Sequence, residues 1–363
     1  VRIGIKLWLS GSSILRLPAR RADRNAVAAP ALREPWLPYL GLRAAELVLR
    51  TVDRRTAYRV TGPLAAVLTL CWSSHWQGLR ANLLVIRPEL GRGEARRLLR
   101  RNVRDFLKAW IDVLQMAHRP IEAWTPWLRM RDGHYLEDAL QEGKGKGVII
   151  VSLHLGSWEA AIAALQDHFS ARGRGLALLA EQVRPIRCFN WLVRTRTRVG
   201  CQVIPLNVEA ARRGDQVAVH RSGASAVRQI YRVLAQDGVV VMAIDRDLLG
   251  TGVGVPFCGR RASIPLGAVE IAARTGAVIL PVSLVRDEND NYVCRGYRPV
   301  KVRLEDDPQL GFKLATYRLL QVMEPELRAH PEQWHVMQSL FGGAMTASDL
   351  DSSAAERPGL TIS

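Results

Sequence analysis

The stretch VIIVSLHLGSWEAA, residues 148–161, decides how the rest of the chain is read. Val148 to Leu153 is an almost unbroken apolar run, the pattern of a strand buried on both faces. His154 follows at once and Gly156 turns the chain. Ser157 to Phe169 then reads as a helix that carries Glu159 in its first turn. Sites in open α/β sheets form where strands end. In this layout His154 faces solvent and Glu159 can accept from its other ring nitrogen, which fixes the tautomer and stabilises the imidazolium as it forms. Such a base can deprotonate a substrate hydroxyl directly, with the substrate's alcohol standing where a triad has its serine. The amides of the helix N-terminus add a place suited to anions. Taken alone, a His-x-x-x-x-Glu spacing is weak, because a histidine that ends a strand and merely caps a helix is the ordinary case.

Outward from this segment, strands and helices alternate. Leu176 to Ala180 and Gln202 to Leu206 read as short strands, with a helix near 186–199 between them. A helix near 223–236 leads into the strand Val239 to Ile244, and Leu266 to Arg274 is helical. Val278 to Val285 and about 292–298 are strands, and a helix follows at about 310–328. Such alternation predicts an α/β fold: a central mixed β-sheet flanked by helices.

Upstream the pattern is helical from about 40 to 118. Leu98, Leu99, Val103, Phe106, Leu107, Trp110, Val113 and Leu114 recur at 3–4 spacing, with Arg97, Arg100, Arg101 and Arg104 between them. This basic amphipathic helix either packs on the domain with a solvated face or lies on anionic lipid. Residues 19–38 read as an Ala/Arg/Pro-rich linker, and the apolar and basic positions of residues 1–10 as an interfacial segment. The expected organisation is a membrane-associating helical region over 1–118, an α/β domain over 119–345 and a disordered tail over 346–363.

The 363 residues are 48% apolar and 23% charged, which implies a packed core rather than wholesale disorder. The net charge of +17 implies an anionic partner, although an Arg-rich genome accounts for such an excess equally well. No run of about 18 apolar residues is present, so no conventional transmembrane helix is expected. Cys71, Cys188, Cys201, Cys258 and Cys294 have no zinc spacing and read as free, buried thiols. No helix-turn-helix, zinc-finger or RNP pattern accompanies the charge, which disfavours a nucleic-acid binder. No Gly-x-Ser-x-Gly elbow supports a serine hydrolase.

Four ordered blocks resemble the bacterial lipid A late acyltransferase family, closest in motif style to its phosphatidylinositol mannoside acyltransferases. His154, Gly156, Trp158 and Glu159 match the His-x-Gly-x-Trp-acid block. Arg80 to Leu83 resemble an Arg-x-Asn-Leu signature. Residues 243–260, AIDRDLLGTGVGVPFCGR, are similar to an acid-Arg-Asp-Leu block, and Pro331 to Trp334 match the closing motif. The resemblance covers about residues 55–340. It departs from the family at Leu155, where Asn is common, and after Trp334, where His335, Val336 and Met337 stand in place of aromatic and basic residues.

The resemblance implies a membrane O-acyltransferase with His154 and Glu159 as catalytic dyad and Glu181, Arg196, Asp245 and Arg246 toward the substrate. It implies no metal and no cofactor, only acyl-CoA or acyl carrier protein as co-substrate. The acceptor is a membrane glycolipid or lysophospholipid. The expected place is the inner face of the cytoplasmic membrane, held peripherally on anionic lipid. The rival classes are a basic nucleic-acid-binding protein and a non-catalytic membrane-interaction protein. Within the residues themselves, Gly250, Gly252 and Gly254 form either an ordinary turn or a loop that shapes an acyl tunnel, and Arg246 is either a site residue or structural glue.

Overall fold

The structure is a computed structural model and describes residues 34–302 and 307–342. The segment 1–10, most of the 19–38 linker and the 346–363 tail lie outside the described residues.

Among the described residues, five α-helices come first: α1 (Leu37–Thr51), α2 (Arg54–Arg59), α3 (Thr61–Cys71), α4 (Gln77–Ile86) and α5 (Arg92–Met116). The remaining elements follow as β1 (Leu128–Arg131), α6 (His134–Glu142), β2 (Val148–Ser152), α7 (Trp158–Ser170), β3 (Leu176–Glu181), α8 (Ile186–Arg198) and β4 (Cys201–Leu206). After them come α9 (Glu209–Arg212), α10 (Gln216–Ala235), β5 (Val239–Ala243), the hairpin β6 (Val253–Phe257) and β7 (Arg260–Ile264), α11 (Gly267–Thr275), β8 (Val278–Arg286), β9 (Tyr292–Gly296) and α12 (Pro308–Ala329).

Seven strands form one sheet in the order β1-β9-β8-β2-β5-β3-β4. Its neighbours run parallel except β8 and β9, which are antiparallel, so the sheet is mixed as expected. β2 lies at its centre, between β5 and β8, which is why both of its faces are apolar. Ile149, Val151 and Leu153 join a core made with α10, α11 and α12. Val148 and Ile150 join the opposite core, under α6 and α7. Two-residue alternation then sends His154 to the α7 side.

The apolar stripe of α5 is buried. Leu98, Leu99 and Val103 pack with Ala65, Leu68, Trp76, Leu79 and Leu83 of the preceding helices. Arg97, Arg100, Arg101 and Arg104 point to solvent. The packed reading of this helix therefore describes its apolar face. A buried ion network also fastens α5 to the sheet. Arg286, at the end of β8, donates to Asp105 at 2.6 Å and to Asp112 at 3.2 Å. Arg54 and the Tyr58 hydroxyl donate to the other Asp112 oxygen at 3.1 and 2.5 Å. Burial pushes the Asp105 carboxyl up, but the Arg286 charge and His335 outweigh it and hold it at about 2.

Three elements depart from the sequence reading. The edge strand β1 and helix α6 were not anticipated, and residues 253–264 form a hairpin rather than a loose glycine loop. Four cysteines are buried as expected, whereas Cys71 is exposed. No helix among the described residues is long and apolar enough to cross a membrane.

Candidate active site

The loop after β2 is held from three sides. Gly156 adopts a left-handed conformation (φ 70°), and a Cβ there would collide with the carbonyl of Leu284, so only glycine fits. The closing segment pairs with the loop: Gly156 N donates to Gln333 O at 2.8 Å, and His335 N donates to His154 O at 2.8 Å. Gln333 in turn exchanges two hydrogen bonds with the Arg286 backbone, at 2.6 and 2.8 Å.

The closing segment is itself clamped by side-chain amides. Asn82 donates to Val336 O and Gln338 O, at 2.9 and 2.6 Å, and accepts from Leu340 N at 3.0 Å. Asn102 donates to Trp334 O at 2.7 Å and Pro331 O at 3.2 Å. A Cβ at Gly78 would strike Met337 O, so α4 lies directly against this segment. The Arg-x-Asn-Leu and Pro-Glu-Gln-Trp blocks, far apart in sequence, are thus one supporting structure beneath His154.

The carboxylate that meets the His154 ring is Asp245, not Glu159. Asp245 Oδ1 lies 2.6 Å from His154 Nδ1, and Oδ2 accepts from His154 N at 2.8 Å and from Trp334 Nε1 at 2.7 Å. Asp245 follows the end of β5, beside β2, and is fully buried. That position removes it from direct contact with a substrate, the role expected of it. Burial pushes its carboxyl up, yet the His154 charge and the donors from His154 and Trp334 outweigh that and hold it below the usual carboxylate range. An ionised carboxylate only accepts, so His154 Nδ1 carries the proton that lies between them.

Glu159, in the first turn of α7, accepts instead from Arg196 Nη2 at 2.9 Å. Glu181 binds Arg212 at 2.7 Å and Arg246 at 3.1 Å. Glu159, expected against the His154 ring, is thus held by Arg196 instead. His154, Glu159, Glu181, Arg196 and Arg246 all line one cleft of about 220 Å³. Phe106 and Trp110 of α5, with Leu179, Val183, Leu192 and Leu248, supply its apolar wall. The cleft therefore has both apolar and charged side chains in its lining.

Sequence reasoning missed Phe106 and Trp110 as cleft residues, Arg212 as a partner of Glu181, and Trp334 as a donor to Asp245. The closing motif did flag Trp334, but only the fold brings it to β5. Gly250 and Gly252 belong to a turn organised by Asp247, which accepts from Gly250 N, Thr251 N and Gly252 N at 2.8 to 3.1 Å.

The chain matches the bacterial lipid A biosynthesis acyltransferase family over residues 30–342. It is 23% identical over 245 residues to the phosphatidylinositol mannoside acyltransferase of Mycolicibacterium smegmatis, covering 66% of this chain and 71% of that protein. It is 26% identical over 199 residues to the Mycobacterium tuberculosis (strain H37Rv) protein of the same name, covering 53% of this chain and 54%, about half, of that relative. The extent of the family match places the chain in the bacterial lipid A biosynthesis acyltransferase family and makes it an acyltransferase.

Proposed function

We propose that this protein moves a fatty acyl group from an acyl thioester to a sugar hydroxyl of a membrane glycolipid of the phosphatidylinositol mannoside type. The observation that carries the reading is the Asp245–His154 pair, whose histidine lines a cleft with both apolar and charged side chains. Asp245 fixes the tautomer that leaves His154 Nε2 basic. The acceptor hydroxyl gives its proton to Nε2 as its oxygen attacks the thioester carbonyl. The resulting imidazolium is stabilised by the Asp245 charge and returns the proton to the departing thiolate. The first-turn amides of α7, which begins four residues after His154, have no intrahelical acceptor and suit the developing oxyanion. Arg196, held by Glu159, and Arg246, held by Glu181, position the head group so that one hydroxyl meets Nε2.

The donor is acyl-CoA or an acyl carrier protein, and no metal or cofactor enters the reaction. The protein works on the inner face of the cytoplasmic membrane, held peripherally on anionic lipid. The names of the two relatives support the acceptor class, and the mixed lining of the cleft supports a lipid substrate. The direct test incubates purified protein with radiolabelled palmitoyl-CoA or palmitoyl carrier protein and detergent-dispersed phosphatidylinositol mannoside. Labelled, further acylated glycolipid is expected, with a loss of about 10²–10⁴-fold in His154→Ala. No transfer from either donor, or full activity in His154→Ala, contradicts the proposal.

A further inference from the structure

Exposed large apolar side chains are not spread over the surface. Among the described residues they are Trp36, Leu37, Leu40, Leu47, Val48, Val60, Leu64, Val67 and Leu70 within one stretch, and only five elsewhere. The extreme case is α3. Its sequence, TGPLAAVLTLC, contains no charged side chain. Its inner face, Ala65 and Leu68, is consumed by the core with α5. Its outer face presents Val60, Leu64, Val67 and Leu70 at three- to four-residue spacing, with Leu70 83% exposed. A contiguous apolar helix face of this kind marks an interaction surface.

The surroundings identify what covers it. Residues 37–104 hold thirteen arginines against four carboxylates. Arg55 and Arg59 flank α3 on the preceding helix, and Arg97, Arg100, Arg101 and Arg104 are exposed on the helix beneath it. An apolar ridge within a guanidinium belt is complementary to an anionic bilayer surface, with hydrocarbon beneath phosphate. It suits an acidic protein less well, because such a partner would leave the apolar ridge without a counterpart.

We infer that α3 is the element that enters the lipid, shallowly and parallel to the bilayer plane, while the α5 arginines hold anionic head groups. This rests on the proposed function and deepens it, because α5 also supplies Phe106 and Trp110 to the cleft wall. Val103, under α3, and Trp110, in the cleft, are seven residues apart, about 10 Å along the helix. A glycolipid acceptor thus reaches His154 from the bilayer past one helix.

Cys71, at the end of α3, is exposed while the other four cysteines are buried, so it takes a fluorescent label selectively. Labelled protein is mixed with vesicles of phosphatidylcholine, with or without phosphatidylglycerol, that carry nitroxide lipids labelled near the head group. The dye is expected to be quenched on phosphatidylglycerol vesicles. Leu70→Asp and Leu64→Asp are expected to weaken binding at least about tenfold. Arg100→Glu combined with Arg104→Glu is expected to abolish the preference for phosphatidylglycerol. Thermal unfolding and transfer to detergent-dispersed acceptor should be unchanged in Leu70→Asp. That second readout separates failure of the docking face from failure of the proposed reaction. Vesicle binding with an unquenched dye, or unaltered binding by Leu70→Asp, overturns the inference. So does a Leu70→Asp effect confined to dissociating a dimer, since a second copy would then be the occupant.

Discussion

Two assemblies of buried charge lie on either side of the closing segment, and they differ in one respect. In the first, Asp245 gathers donors from His154 and Trp334, and its chain of contacts ends at a ring that lines the cleft. In the second, Asp105 and Asp112 gather Arg286, Arg54 and Tyr58, and the chain ends in protein on every side. Both satisfy a carboxylate with several donors, as burial requires. Only the first ends at an ionisable ring in the lining of the cleft. A buried charge network is therefore no mark of catalysis by itself. The distinguishing feature is where the network ends.

The largest expected effect falls on the first assembly. Asp245→Asn keeps the shape but favours the wrong tautomer of His154, so kcat should drop by about 10³–10⁴-fold while the unfolding midpoint changes little. Glu159→Gln, which touches only the Arg196 pair, should cost about 10–100-fold. Steady-state kinetics with a labelled acyl donor separates the two, and equal losses would erase the difference between these carboxylates.

On the second assembly the effect should appear as stability. Arg286→Ala leaves two buried carboxylates without their main partner and should cost about 3–5 kcal/mol, read by urea denaturation. Per folded molecule, turnover should fall only a few-fold. A loss of turnover comparable to that of Asp245→Asn, in protein shown to be folded, would mean that the two assemblies are one functional unit.

Acid separates them again. The folded Asp105 carboxyl sits at about 2, below its ordinary value of 3.8. Its contribution to stability is therefore complete above about pH 4 and is lost as pH falls toward 2, a change of about 2 kcal/mol. Asp105→Asn should flatten this part of the stability–pH curve measured by denaturant titration. A curve unchanged by that substitution would remove Asp105 from the account.

The smallest effect is expected at the shared edge. Trp334→Phe keeps the ring that packs against Phe257 and Phe341 but loses the Nε1–H donor to Asp245. Turnover should fall about tenfold with stability nearly intact. A loss as large as that of Asp245→Asn would make Trp334 an equal partner in orienting His154.

The alternation after residue 143 was legible because each buried strand is an apolar run and each helix keeps its period, and this fixed the mixed sheet and the position of His154. Strand β1 was not legible: LRMR has neither alternation nor an apolar run, and it exists because β9 offers a parallel edge. The hairpin at 253–264 was hidden by its glycines, which read as turn signals. The carboxylate beside His154 was misplaced for a related reason. Glu159 is five residues away in sequence, whereas Asp245 reaches the histidine only because β5 pairs with β2, a contact across 91 residues. Local spacing put His154 and Glu159 at one cleft, and strand order decided which carboxylate touches the histidine.

The most direct test of the central claim observes the His154 Nδ1 proton itself. A proton held between an imidazole and a buried carboxylate exchanges slowly and gives a far-downfield NMR signal. With ¹⁵N-histidine-labelled protein, that signal should be present in the wild type, absent in His154→Ala and in Asp245→Asn, and preserved in Glu159→Gln. A signal that survives Asp245→Asn and disappears in Glu159→Gln would return the orienting role to Glu159 and contradict the account.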